Sequence, residues 1–194
     1  MIGAHYDTLA KPRGFVGANN GAAGTAVVIE AARALQVLPV GSDRREVRFV
    51  LFDGEEPAEE LPEEVADFYK EGLRGSRAYA SAHPDRTAAM ILLDYVGNRG
   101  LFLPREATSD RRLWTRLLGA ADTVGASEFF SAKAGVGITD DHTPFLRSGV
   151  PSVDLIDWSY PGHSLTDRLD ELSRRSLDGV GEAIVQLADE LRAE

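Results

Sequence analysis

Apolar positions along the chain follow two alternating rhythms. Residues 2–5 (IGAH), 46–52 (EVRFVLF), 88–96 (AAMILLDYV) and 150–156 (VPSVDLI) are short, mostly apolar runs rich in branched and aromatic side chains. They read as strands buried on both faces. Between them, residues 25–35 (TAVVIEAARAL), 73–82 (LRGSRAYASA), 111–124 and 172–193 place apolar residues at helical spacing. Residues 140–148 (DDHTPFLRS) open another helix, with Asp140 or His142 as candidate cap. Pro39 and the GSD at 41–43 break the chain after the first helix. Residues 57–71 are acidic, and their EELPEE run at 59–64 reads as a solvated face. Strands alternating with helices predict an α/β fold, a mostly parallel sheet with helices on both sides. No repeat or low-complexity segment divides residues 1–194, so one domain is expected.

Composition narrows the chemistry. The net charge is −10 and there is no basic stripe, which argues against a nucleic-acid partner. No apolar run reaches the length of a membrane span, so a soluble protein with no membrane partner is expected. There are no cysteines, which removes disulfides, thiolate metal sites and cysteine nucleophiles. The chain opens directly on a strand, MIGAHYDT. That abrupt start suggests a truncated N-terminus, and a secreted or extracytoplasmic protein if a segment is missing. The oligomeric state is not written in the sequence.

The informative feature is where polar residues collect. The first strand ends in His5-Tyr6-Asp7, the second in Asp53-Gly54-Glu55-Glu56, the third carries Asp94, and His163 follows the last. Ligands of an open parallel sheet bind outside the carboxyl ends of its strands. Two histidines and several carboxylates without cysteine suit zinc or a similar divalent ion. Asp7, two residues after His5, is placed to hold the other ring nitrogen. One glutamate of the 55–56 pair can bind metal while the other serves as general base. Taken singly, HxD and paired glutamates are weak signals. Asp94 inside an apolar run is stronger, because an unpaired buried carboxylate costs several kcal/mol.

In order, HYDT, GANNGAAGTA, FVLFDGEE, GLRGSRAYA, ILLDYVG, ITDDHTPFLRSGVPSVDLID and YPGHSLTDRLDELS resemble the zinc-dependent exopeptidases, a family that includes bacterial aminopeptidases and the glutaminyl cyclases. The resemblance implies a three-layer α/β/α sandwich around a mixed, mostly parallel sheet, here lacking N-terminal edge strands. It implies one or two zinc ions, with His5 and Asp94 on one and Glu56 and His163 on the other. Glu55 would be the general base, Asp7 the partner of His5, and Asp141 a member of a hydrogen-bond network near the substrate. The implied substrate is a peptide or aminoacyl compound with a free N-terminus. Asn20 stands where the family has the aspartate that bridges two metals. An amide offers one neutral oxygen and an NH2 group that repels a cation, so weakened metal occupancy is expected. Three readings follow: an aminopeptidase, a single-zinc glutaminyl cyclase, or a catalytically impaired scaffold. The cyclases also carry a tryptophan before the last histidine, where this chain has Gly162.

Overall fold

The computed structural model describes residues 1–10, 12–39, 44–57, 67–83 and 86–194. Six strands are present: β1 (Ile2–His5), β2 (Phe49–Phe52), β3 (Met90–Leu93), β4 (Leu103–Arg105), β5 (Phe130–Ala134) and β6 (Ser152–Leu155). Six helices accompany them: α1 (Gly24–Val37), α2 (Phe68–Glu71), α3 (Arg74–Ala82), α4 (Arg111–Thr123), α5 (Thr143–Arg147) and α6 (Arg174–Arg192). The chain break at 41–43 and the EELPEE run at 59–64 lie outside the described residues.

The main sheet has the order β2-β1-β3-β6, and each pairing is parallel. Its side chains alternate between two cores, as a period of two requires. Ile2, Ala4, Ile91, Leu93, Val153 and Leu155 belong to the larger core with α1, α4 and α6. Met90 and Leu92 face the smaller one with Ala80 and Phe145 of α3 and α5. The result is three layers, α/β/α. From β1 the chain winds outward to β2, then crosses back over β1 to β3 and on to β6. The winding direction therefore reverses between β1 and β3, which is where a doubly wound sheet opens a crevice.

Two expectations need correcting. Residues 46–52 do not form a strand buried on both faces. Only Phe49–Phe52 is a strand, and it lies at the sheet edge, paired among the described residues with β1 alone, so Leu51 is exposed. Asp140 does not cap α5 either. His142 occupies the cap position, with no side-chain capping bond, and the turn before it closes from Thr143 N–H to the Asp140 carbonyl. The parallel pair β4–β5 was not expected. No helix among the described residues is long and apolar enough to cross a membrane.

Helix α1 starts directly on the sheet. A Cβ on Gly24 would lie 2.3 Å from the carbonyl oxygen of Leu93, at the end of β3. Main chain meets main chain there, so nothing can swing aside. Gly24→Ala is expected to destabilise the fold by about 1–3 kcal/mol, read as a lower urea midpoint. An unchanged midpoint would show that α1 is not seated this closely.

Candidate active site

Each strand of the main sheet delivers polar groups to the same end. His5 closes β1 and is buried. Its Nδ1 lies 3.0 Å from the main-chain carbonyl of Asp7 and 3.7 Å from the Asp7 carboxylate. Asp7 therefore faces the ring with both its main-chain carbonyl and, at longer range, its carboxylate. The carboxylate has another task. It accepts the main-chain N–H groups of Glu55 (3.2 Å) and Glu56 (3.1 Å), fixing the glutamate pair beyond β2. Burial opposes the negative charge on Asp7, but His5 and these two N–H groups hold its pKa below the ordinary value.

Two donor pairs result. His5 Nε2 is 3.3 Å from Asp94 Oδ1, just beyond β3, and His163 Nε2 is 3.0 Å from Glu56 Oε1. Glu55 is buried, with its Oε2 3.9 Å from His5 Nδ1. Burial and the charge of Asp140 push the Glu55 carboxyl well above the usual range. Asp140 is pushed up to about 6 by burial and the Asp94 charge, and Asp141 well up by burial and Asp140. Burial disfavours a charge on His5, yet its hydrogen bonds to Asp7 and Asp94 raise its pKa well above normal. The raised carboxyls reflect burial first and then a negative local potential, which also favours the charged form of His5.

The expected bridge is different. Asn20 sits in a kinked helical turn, Ala18–Ala23, where Asn20 (φ −83°, ψ 93°) and Gly21 (φ 98°, ψ −49°) leave helical geometry. Its Nδ2 donates to Glu56 Oε1 at 2.6 Å. The amide thus spends its NH2 group on the same carboxylate oxygen that meets His163. Bonds of about 2.0–2.2 Å to a tetrahedral ion put neighbouring donors about 3.3–3.5 Å apart, so the His5–Asp94 spacing and the donor types fit a divalent cation. The bridging position does not. Among the described residues, no three histidine or carboxylate groups converge on one point.

Asp141 is fully buried, and neither of its carboxylate oxygens has a hydrogen-bond partner among the described residues. A polar network beside it is built on His142 and on acidic residues that the sequence did not single out. Behind the site, Glu106 accepts N–H groups from Thr108, Ser109 and Ile138 and lies 3.4 Å from His142 Nε2. His142 Nδ1 faces Asp154 at 3.7 Å. Asp157 accepts from Asn98, Phe102 and Ser159, while Asp167 accepts from Asn19, Asn20 and Tyr160. On the rim, the Tyr95 ring stacks on Trp158 at 6.4 Å and meets the His163 ring edge-on at 6.5 Å. Tyr95, Trp158, Tyr160 and His163 line an open cavity of about 380 Å³.

The sequence profile of peptidase family M28 matches residues 1–188. The chain belongs to peptidase family M28. It is 29% identical to glutaminyl-peptide cyclotransferase of Bos taurus over 217 residues, covering 95% of this chain and 60% of that protein. It is 28% identical to aminopeptidase YwaD of Bacillus subtilis over 200 residues, covering 94% of this chain and 39% of the other. Among solved structures, a glutaminyl cyclase from an Acidobacteriales bacterium superposes with a TM-score of 0.85 at 28% identity, covering 99% of this chain and 68% of that one. This M28 chain thus spans 60% and 39% of the length of these two curated relatives, one a cyclase and the other a peptidase.

The M28 chain has an acid-sensitive support. Burial raises the Glu106 pKa, but His142 and the N–H groups of Thr108 and Ile138 outweigh it and bring it from 4.5 to about 2. A carboxylate whose pKa is depressed by folding stabilises the native state above its unfolded pKa. That contribution is present above pH 4.5 and fades as pH falls toward 2. Glu106→Gln should therefore lower stability at pH 7 and flatten the acid limb of a stability-against-pH curve measured by denaturant titration. An acid limb identical to the parent's would contradict this role.

Proposed function

We propose that this chain is an exopeptidase of aminopeptidase type, acting on peptides or aminoacyl compounds with a free N-terminus. The observation that carries the reading is the pair of contacts His5–Asp94 and Glu56–His163, with buried Glu55 beside His5, at the carboxyl ends of the strands. His5 and Asp94, with Glu56, His163 and position 20, are the groups that would hold zinc. A bound zinc ion would supply Lewis-acid polarisation of the scissile carbonyl and lower the pKa of the attacking water. Glu55 takes the water's proton and returns it to the departing amine. Asp7 holds Glu55 and Glu56 by their backbones, so the base and its neighbour keep fixed positions. The negative local potential suits a substrate whose amino terminus is cationic.

A second reading, a glutaminyl cyclase, is favoured by the cyclotransferase relatives. One local feature weighs against it. A Cβ at Gly162 would lie 2.2 Å from the ring of Tyr95. With the Tyr95 ring where it lies, there is no room at 162 for the tryptophan that the resemblance to the cyclases calls for.

The test pairs zinc content, by elemental mass spectrometry, with hydrolysis of aminoacyl anilides. Asn20→Asp restores an anionic bridge and should raise both zinc content and kcat/KM over the parent chain. Glu55→Gln in the Asn20→Asp background should lower kcat by about 10²–10⁴-fold with zinc content unchanged. Zinc-loaded Asn20→Asp that releases ammonia from a Gln-initiated peptide, and cleaves no aminoacyl anilide, would replace this reading with the cyclase one.

A further inference from the structure

Asn20 and His163 approach the same oxygen, Glu56 Oε1, from two different loops, at 2.6 Å and 3.0 Å. Neither loop is held there by its own secondary structure. Asn20 lies at the kink of its turn, and His163 lies in the irregular stretch between β6 and α6, with an exposed side chain. What joins the two loops is Asp167, four residues after His163. Its carboxylate is fully buried and takes three hydrogen bonds: from the main-chain N–H of Asn19 (2.7 Å), the main-chain N–H of Asn20 (3.0 Å) and the hydroxyl of Tyr160 (2.9 Å). Both oxygens are used, one on each main-chain N–H. The carboxylate is a staple across the two loops, and Tyr160 ties the aromatic rim to the same staple.

We propose that Asp167 is a positioning residue that sets the separation of position 20 and His163, and thereby the metal affinity of the centre. The proposal rests on the zinc assignment above. Asparagine at 167 keeps the shape but offers one acceptor oxygen and an NH2 donor. Facing two main-chain N–H groups, it must leave at least one without an acceptor and turn the loop at residue 20. Groups that orient metal ligands typically contribute about 10–100-fold to metal affinity.

Asp157 supplies the comparison. It is equally buried, sits in the same stretch after β6, and accepts main-chain N–H groups from Phe102 and Ser159. It bonds neither Asn19 nor Asn20 directly; its link to that peptide is indirect, through Asn98, which donates to Asp157 at 2.9 Å and accepts from the Asn19 side chain at 3.2 Å.

The experiment measures zinc dissociation constants by competition with a chromophoric chelator, in the Asn20→Asp background, together with thermal midpoints. Asp167→Asn should weaken zinc binding about 10–100-fold. Asp157→Asn, whose link to position 20 runs through Asn98 and Asn19, should lower the thermal midpoint and weaken zinc binding by a clearly smaller factor than Asp167→Asn. Should Asp167→Asn fail to fold, Asp167→Glu keeps the charge, displaces the oxygens by one methylene, and should weaken zinc binding as well. Equal losses of zinc affinity at 157 and 167, or none in a folded Asp167 variant, would overturn the proposal while leaving the zinc assignment standing. Absence of zinc binding in Asn20→Asp itself would remove both.

Discussion

Everything at the functional end of this protein depends on carboxylates that accept main-chain N–H groups. A parallel sheet sends every strand into a loop at the same end, and buried loop backbone needs partners that no ladder provides. Here the partners are anionic. Asp7 holds Glu55 and Glu56, Asp94 takes the N–H of Tyr95, Asp157 holds Phe102 and Ser159, Asp167 holds Asn19 and Asn20, and Glu106 holds three more. Charge-assisted hydrogen bonds of this kind are about twice as strong as neutral ones. They fix the loops without secondary structure.

The consequence is electrostatic. A scaffold that pins its loops with carboxylates concentrates negative charge where the strands end. The upward displacement of Glu55, Asp140, Asp141 and Asp154 follows from that crowding as well as from burial. Protons relieve such a field in part, and a cation relieves it more. The fold's need for loop anchors and the centre's affinity for positive charge are therefore one property, and catalytic groups placed there inherit it.

This explains which parts were legible in the sequence. β1 matches its expected run, while β3 and β6 lie within theirs, because each is a mostly apolar run rich in branched side chains. The polar groups beyond these strands were legible because charge at the end of an apolar run is conspicuous. β4 and β5 were not, since LPR and FSAKA are short, one contains proline, and their pairing shifts register at Pro104/Arg105. Asp167 was hidden for a different reason. It shares its segment with Asp170 and Glu171, both exposed, and nothing in composition separates a buried anchor from a solvated acid. Only the tertiary position of the Asn19–Asn20 peptide distinguishes it. Asp7 has a second duty that the sequence hid: two-residue spacing puts its carboxylate near His5, but only the fold brings the Glu55 and Glu56 N–H groups onto it.

Asn20 fits this picture without being an accident of packing. In a centre so rich in carboxylates, an aspartate at position 20 beside Glu56 needs cations to offset the repulsion between them. The amide instead donates to Glu56, with one negative charge fewer than an aspartate would place there. If zinc binds as proposed, this hydrogen bond would compete with a bridging ion for Glu56 Oε1. His163, whose ring meets that oxygen from the exposed side, would then be the group whose position answers to the outcome.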